Sequence, residues 1–200
     1  MIEPKNSFYN DTNEIFLETW RLLSQGVVDR KSGFHHLTVA SIGKGGQPRL
    51  RTVILRGCEP QSWALRFHTD IRSTKIAELR NDLRVSLQFY DPQMRIQIRL
   101  EGKASIHGDD AIADAAWAGS RIFSRQCYGI MPSPGTTIPE AGDYYWPQQT
   151  NEATIGGRDN FCAVSVEASS FEWLYLASTG HRRASFTKTA DGFQAKWLAP

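Results

Sequence analysis

The clearest pattern in this chain is an alternation of apolar and polar residues on both sides of a short turn. Apolar residues stand at every second position of 85–89 and again of 94–100, and polar residues fill the positions between them. The intervening Asp91-Pro-Gln93 has the composition of a turn. A period of two predicts an antiparallel hairpin with one apolar and one polar face. The polar face, which carries Arg95, Gln97 and Arg99, is typical of a solvated surface, although a ligand or a partner could also lie on it.

The remaining patterns predict a mostly β protein. Apolar residues at helical spacing follow the capping signal Asp11-Thr-Asn-Glu14, which predicts an amphipathic helix over 12–25. The other predicted elements are strands at 36–42, 48–55, 63–69 and 193–198, helices at 73–80, 108–119 and 120–129, and a hairpin formed by 161–167 and 171–177. Short antiparallel strands separated by turns predict a small β-barrel with helices packed outside it.

One long segment, 131–160, is rich in Pro and Gly and has no period. A segment of this length without a secondary-structure pattern is uncommon in a compact domain unless it is functional or mobile. The tight sequence Gly43-Lys-Gly-Gly46 is better explained as a hairpin turn than as a phosphate cradle, because it lies between two predicted strands.

Composition narrows the class of protein. The 200 residues, 40% hydrophobic and 22% charged, predict a single domain over 1–200. A net charge of +2 is too small to indicate a nucleic-acid partner by itself. No apolar run approaches the ~20 residues of a membrane helix, and the N-terminus has no apolar signal segment. The widely spaced Cys58, Cys127 and Cys162 indicate neither a disulfide framework nor a zinc site, so we expect a cytoplasmic protein.

Candidate chemistry is concentrated at the start of the helix predicted at 73–80. A helix start offers free backbone N–H groups and a positive dipole end, which suit a phosphate. Ser73, Thr74 and Lys75 lie at this start, although an ordinary N-cap with an exposed lysine would have the same sequence. Arg51 and Gln97, on separate predicted strands, could converge on the same ligand. Arginine offers a planar fork for phosphate, and glutamine can donate to and accept from a polar ring edge.

The C-terminal region holds a second candidate group. Trp173 is followed by His181 and Arg183, which would ordinarily be a strand and a basic turn at the surface. Alternatively, a Trp–Arg pair could cover a flat ring system, with the arginine stabilising negative charge near the ring. Metal binding is not expected, since His35-His36 has no partners at ligand spacing.

Several segments of the chain share a pattern with one known family. They are Arg51-Thr-Val-Ile-Leu-Arg56, His68-Thr69, Ser73-Thr-Lys75, Gln97-Ile-Arg-Leu-Glu-Gly102, Trp173 with Arg183, and Trp197-Leu-Ala-Pro200. Together these segments resemble the pyridoxamine 5′-phosphate oxidase-like family of FMN-binding split barrels. The Arg125-x-x-Tyr128 and Pro134-Gly135 stretch is similar to FMN-binding relatives rather than to the classical vitamin B6 enzyme.

The resemblance implies a homodimer that binds two FMN molecules at the subunit interface. Arg51 and Lys75 would hold the FMN phosphate, Gln97 would bond the polar edge of the ring, and Trp173 and Arg183 would come from the partner subunit. The full cofactor-binding set implied in this way is Arg51, Thr52, Val53, Ile54, His68, Thr69, Ser73, Thr74, Lys75, Gln97, Trp173 and Arg183.

The resemblance also implies an oxidoreductase that transfers a hydride between a small-molecule substrate and the flavin. Arg183 would stabilise the charge of the reduced ring, and Arg56 and His181 would contact the substrate. The chain departs from the family pattern at Arg56, where the family has Lys, at His68, where it has Tyr, and at Thr74, where it has Arg. These departures leave the substrate open.

Two other function classes compete with this hypothesis. A non-catalytic flavin- or haem-binding protein of the same fold would share the cofactor residues without turnover. A nucleic-acid binder that uses the polar face at Arg95, Gln97 and Arg99 is disfavoured by the small net charge.

Overall fold

Eight antiparallel strands form one continuous sheet in the computed structural model, which describes residues 8–147 and 157–200. The strands are β1 (His36–Ile42), β2 (Pro48–Glu59), β3 (Ala64–Asp70), β4 (Arg84–Asp91), β5 (Ile96–His107), β6 (Phe161–Tyr175), β7 (Arg182–Thr189) and β8 (Gly192–Leu198). The helices are α1 (Thr12–Val28), α2 (Thr74–Asn81), α3 (Ala111–Ala118) and α4 (Ile122–Gln126).

The sheet closes on itself to form a barrel. The strand order is β3-β2-β1-β4-β5-β6-β7-β8, and β3 also pairs with β6. Six strands therefore form a closed antiparallel barrel, and β7 and β8 extend the sheet from β6. The mostly β fold with flanking helices, predicted as a split barrel, is confirmed. Closure leaves no free edge among the six barrel strands, and the apolar faces can meet in one core.

The barrel interior is filled by the apolar residues of the alternating strands. In β4, Val85, Leu87 and Phe89 are buried while the residues between them are exposed, as the period of two predicted. The β1–β2 connection is the predicted hairpin turn, in which Gly43 N donates to Gln47 O at 2.9 Å. Gly46 has a φ of 80°, a conformation that glycine adopts without strain.

Helix α1 covers one face of the barrel and begins where the capping signal predicted. Asp11 Oδ1 accepts from the backbone N–H groups of Asn13 at 2.7 Å and Glu14 at 3.1 Å. Ile15 and Leu23 on its inner face are fully buried in the main core. Among the described residues, no helix is long and apolar enough to cross a membrane.

The hairpin predicted over 161–167 and 171–177 is wrong, because most of these residues belong to one strand, β6. It is one strand of 15 residues, and β5 pairs with it on both sides of a register shift at Glu101/Gly102. The small residues at 168–170 resemble a turn in sequence, but none of them has a positive φ. Its first half pairs with β3 and its second half with β7, a strand that the sequence analysis did not predict.

The Pro- and Gly-rich segment is anchored where it leaves the 3₁₀ turn Cys127–Gly129. Arg72 Nη2 donates to Ile130 O at 3.0 Å, and Met131 forms an isolated bridge with Tyr145. Residues 148–156, which also fall in the predicted loop 131–160, lie outside the described residues. The beginning of this segment therefore lies beside Arg72, just before α2.

Candidate functional site

A group of donors converges at the end of the barrel where β3 leads into α2. Lys75 Nζ donates to Thr69 Oγ1 at 2.7 Å and to Ser73 Oγ at 3.3 Å. Thr69 is the last of the alternate buried residues of β3, and Ser73 immediately precedes α2. We call Arg51, Thr69, Ser73, Thr74 and Lys75 the anion cradle. The structure thus brings together five of the residues that the sequence singled out.

The start of α2 is open to an anion. Ser73 Oγ donates to Asp70 O at 2.7 Å and does not cap the helix with its side chain. The first N–H groups of a helix have no partner within it, and they carry the positive end of the dipole. Gly135 passes close by, since a Cβ added there would lie 3.9 Å from Thr74 Oγ1. A phosphate fits this combination of an ammonium, hydroxyl groups and backbone donors.

Arg51 reaches the cradle from β2 but is already paired with a carboxylate. Its guanidinium donates to Glu78 and to Ser41, and the Glu78 side chain is only 6% exposed. Burial opposes ionisation of Glu78, but hydrogen bonds from Ser41 and Arg51 outweigh it and lower the pKa of this carboxyl group. Sequence analysis missed Glu78, although its position three residues after Lys75 places it on the same side of α2.

The electrostatics of the cradle favour an anion. Burial lowers the pKa of Lys75, and the nearby charge of Arg51 lowers it further. Two cations held close together in a partly buried place repel each other unless a negative charge lies between or beside them. Glu78 supplies one such charge to Arg51, and a bound phosphate would supply the other.

A basic cavity of about 350 Å³ lies outside the barrel, against β2 and β3. Arg56, Arg66 and His68 line it from these strands, Arg30 from the segment after α1, and Arg121 from the segment before α4. The sequence analysis named Arg56 and His68 separately, and the structure places them in one wall. It missed Arg30, Arg66 and Arg121, because no local pattern links positions so far apart in the chain.

The wall of this cavity contains polar atoms without partners. Arg66 Nε and His68 Nε2 are buried, and neither has a hydrogen bond within the described residues. Burial, with the charges of Arg66 and Arg56, lowers the pKa of His68 to about 3, so its imidazole is neutral at pH 7. Burial also lowers the pKa of Arg56, and the charges of Arg30 and Arg121 act in the same direction.

A second group of candidates lies on the other side of the barrel. Gln97 in β5 is opposite Leu174 in β6, which in turn is opposite Arg183 in β7. Glu172 accepts from Arg183 Nη2 at 2.6 Å and from the neighbouring Arg99 Nη2 at 2.6 Å. Burial opposes ionisation of Glu172, but the hydrogen bonds from the two arginines lower its pKa.

Gln97 and Arg51 do not converge within one chain, although the sequence analysis allowed for it. Their strands, β5 and β2, are three steps apart in both directions around the six-stranded barrel. The neighbours of Gln97 on both sides are buried, so the Gln97 side chain lies on the outer face of β5. A single ligand could contact both groups only if the second group came from another copy of the chain.

The structure does not bring Trp173 to the face that carries Gln97 and Arg183. Trp173 is 1% exposed and packs in the core, with its ring centroid 5.9 Å from that of Tyr9. Because side chains alternate along a strand, Leu174 occupies the face where we expected Trp173. His181 is exposed just before β7.

No group of metal-ligating side chains is present among residues 8–147 and 157–200. His35 Nδ1 is within hydrogen-bond distance of Gly26 O, at 2.7 Å, and its ring packs edge-on against His36. Cys162 is buried beside the cradle, and burial raises the pKa of its thiol to about 12. These residues therefore have structural explanations that do not involve a ligand.

Comparison with known proteins agrees with this architecture. Residues 17–108 match the model of the family described as "Pyridoxamine 5'-phosphate oxidase, FMN-binding domain". The chain is 27% identical over 183 residues to pyridoxine/pyridoxamine 5'-phosphate oxidase 2 of Arabidopsis thaliana, covering 86% of this chain and 90% of that protein. It is 28% identical over 171 residues to pyridoxine/pyridoxamine 5'-phosphate oxidase of Sphingopyxis alaskensis, covering 82% and 77%.

Solved structures share the same fold. The crystal structure of a pyridoxamine 5'-phosphate oxidase-related, FMN binding protein from Nostoc punctiforme aligns with a TM-score of 0.71 at 23% identity. The alignment covers 92% of this chain and 95% of that one. The family model over residues 17–108, the relatives and the closed barrel with its flanking helices lead to one conclusion: over most of its length this chain is similar to proteins of the pyridoxamine 5'-phosphate oxidase-like split-barrel family.

Proposed function

We propose that this protein is an FMN-dependent oxidoreductase that acts as a homodimer, with FMN bound where two chains meet. The anion cradle is the observation that carries the proposal. It combines the ammonium of Lys75, the hydroxyls of Thr69 and Ser73, and the open start of α2 in one place. The family match over residues 17–108 supports FMN as the phosphate-bearing ligand.

The cradle residues would hold the FMN phosphate. Lys75, Ser73 and Thr74 would donate to its oxygens, and Arg51, kept in place by Glu78, would add a further charge. Val53 and Ile54 follow Arg51 along β2, and they would offer backbone groups to the ring. Bound FMN would supply hydride transfer at its ring system, while the protein binds and orients the reactants.

The remaining cofactor contacts would come from the second chain. Gln97, Leu174 and Arg183 share one outer face on the side of the barrel opposite β2. In a homodimer, this face of one chain can approach the cradle side of the other. Two-fold symmetry then repeats the same contact with the two chains exchanged. Arg183 would stabilise negative charge on the reduced ring, and Glu172 would hold its guanidinium in place.

The substrate would bind beside the ring, at the basic cavity. Arg56 lines this cavity and lies on β2, two residues beyond Ile54. An arginine there would hold an anionic group of the substrate, and His181 of the partner subunit would approach from the other chain. We propose no general base, so the chemistry would rest on orientation of the substrate and on hydride transfer.

FMN titration of the purified protein tests the proposal. We expect uptake with quenching of flavin fluorescence. Because a hydrogen bond to a charged group contributes about 1.5–3 kcal/mol, the variant Lys75→Met should bind FMN roughly 10- to 100-fold more weakly. The control variant Lys44→Met, changed in the exposed β1–β2 turn, should bind like the unmodified protein.

A protein that takes up no FMN would contradict the cofactor assignment. Bleaching of the bound flavin by a substrate would distinguish an enzyme from a flavin carrier. With pyridoxamine 5′-phosphate we expect weak bleaching or none, because Arg56 and His68 replace the family's Lys and Tyr.

A further inference from the structure

We propose that the basic cavity binds a small ligand with two separate anionic groups, and that Arg66 and His68 form the subsite for the second of them. The identification of this ligand as the enzyme's substrate rests on the proposed function. The binding itself rests on the cavity alone.

The first argument is the number of free cations. The side chains of Arg30, Arg56, Arg66 and Arg121 all line the cavity, and none has a hydrogen bond or an ion pair within the described residues. Most other arginines of the described chain are paired, as Arg51 is with Glu78 and Arg72 with Asp70. Among the described residues, no aspartate or glutamate lines the cavity. Four guanidiniums around one small volume call for more than one negative charge to balance them.

The second argument is the pair of buried polar atoms without partners. Leaving a buried donor unsatisfied is unfavourable, so each such atom in a folded protein needs an explanation. Arg66 Nε and His68 Nε2 are both in this state, and both belong to β3. Arginine presents N–H groups that match a carboxylate or a phosphate, and a neutral imidazole offers one more N–H donor. Because both side chains line the cavity, an anionic group placed against β3 would lie beside these donors and next to the Arg66 guanidinium.

The third argument is the arrangement of the cations. Arg66 and His68 lie two residues apart on one face of β3 and line the cavity together. Arg56 lines it from β2, and Arg30 and Arg121 line it from the segments after α1 and before α4. The donors therefore form two groups, one around Arg56 and one around Arg66 with His68. A ligand with one anionic group at each would be held at both ends.

The size of the cavity limits the ligand to a small molecule. Its volume of about 350 Å³ lies at the lower end of the range for small-molecule sites, about 300–1,000 Å³. Val27, Ala115 and Ala116 add apolar atoms to the lining, which suits a short carbon skeleton between two charged ends. The class that fits is a dicarboxylate or a phosphate ester that also carries a carboxylate.

Calorimetric titration with matched probes tests this inference. The pairs are glutarate against butyrate, and phosphoglycolate against inorganic phosphate, each added to the full chain at constant ionic strength. Because one more charge-assisted contact forms, we expect the first member of each pair to bind about tenfold more tightly. Arg66→Gln should abolish this advantage and leave the binding of butyrate and phosphate unchanged. Arg56→Gln should weaken the binding of all four probes.

Arg80 provides a matched control, since it is an exposed arginine outside the cavity. Arg80→Gln should keep the tenfold advantage. If Arg66→Gln folds poorly, as a lower melting temperature would show, Arg66→Lys keeps the charge but lacks the planar fork and should retain only part of the advantage.

Equal binding of both members of each pair by the unmodified protein would overturn the inference, as would an advantage that survives in Arg66→Gln. The flavin titration separates this failure from that of the proposed function. Uptake of FMN with equal probe binding would refute the two-anion ligand alone. Selective binding of the two-anion probes without FMN uptake would refute the proposed function and leave the cavity assignment standing.

Discussion

At the scale of single residues, His68 shows how its environment changes a side chain's role. Its sequence position aligned it with a cofactor-contacting tyrosine of the family, and its structure places it in the wall of the basic cavity. The ring packs edge-on against Phe161, with a centroid distance of 4.9 Å, and its pKa is lowered to about 3. A histidine that stays neutral in the folded state makes folding sensitive to acid.

We expect acid to destabilise the protein through His68. The unfolded chain accepts a proton near pH 6.5, whereas the folded chain resists protonation until about pH 3. Stability from this residue is therefore fully present above pH 6.5 and falls as the pH decreases towards 3. By pH 5 the loss should be on the order of 2 kcal/mol. Urea unfolding at pH 7.5 and pH 5.0 measures it.

The variant His68→Gln should lose this part of the pH dependence, because glutamine does not titrate. His36→Gln, changed at an exposed ring, is the control and should keep it. An unchanged pH dependence in His68→Gln would show that the buried imidazole is protonated in the folded state without penalty.

Glu78, unlike His68, was not singled out from the sequence, and the structure connects it with the cradle. Only its spacing of three residues from Lys75 links it to the site in sequence, yet it accepts hydrogen bonds from Ser41, Arg49 and Arg51. A carboxylate at this place fixes the direction of Arg51 and offsets part of the positive charge of the cradle. Arg51 is therefore better described as a positioned contact than as a free phosphate ligand.

At the scale of secondary-structure elements, the junction of β5 and β6 has a strict steric requirement. The register shifts at Glu101/Gly102, and a Cβ added to Gly102 would lie 2.2 Å from Glu167 O. Only glycine allows the two backbones to approach this closely. The shift lets β6 continue as one strand that serves both the barrel and the β7–β8 extension.

Gly102→Ala should therefore destabilise the fold. The added methyl group must push β6 away, and such overpacking costs about 1–3 kcal/mol. Gly119→Ala is the matched control, because its Cβ would meet its nearest atom, Ala115 O, at 3.4 Å in ordinary contact. Denaturant unfolding of both variants measures the difference. Equal stabilities would mean that the two strands can separate locally at no cost.

At the scale of the whole molecule, the candidate cofactor contacts fall into two groups on opposite sides of the barrel. The cradle lies at β2, β3 and α2, whereas Gln97 and Arg183 lie on β5 and β7. A site made from both groups needs two chains. Mixing two variants, each impaired in one of the two groups, tests whether a site needs residues from both chains.

Mixing should restore FMN binding when the two defects lie in different groups. Lys75→Met impairs the cradle, and the double variant Gln97→Ala/Arg183→Gln impairs the opposite face. After joint unfolding and refolding at equal amounts, about a quarter of all sites in two-fold dimers should contain no defect. FMN titration should detect this fraction as tight binding that neither variant shows alone.

The control mixture combines Lys75→Met with Arg51→Gln, whose defects share one group. No undefective site can form from this pair, so tight binding should not return. Recovery in neither mixture would indicate that each chain holds FMN without its partner's residues, and would contradict the interface assignment.

The sequence by itself determined the elements whose signals are local. The period of two in 85–100, the cap at Asp11 and the hairpin turn at 43–46 were all confirmed, because strand pleating, helix ends and tight turns depend on residues within a few positions of one another. The motifs around Arg51 and Lys75 also indicated the resemblance to this family before any contact was known.

Only the tertiary structure decided which of these residues meet. It placed Trp173 in the core and Leu174 on the outer face, joined the two halves of β6 into one strand, and paired Arg51 with Glu78. It also assembled the basic cavity from arginines that no local pattern connects. Strand register and barrel closure depend on packing between distant segments, and a shift of one residue turns every side chain of a strand to the other face. Local sequence therefore specifies the elements, and the packed barrel specifies the site.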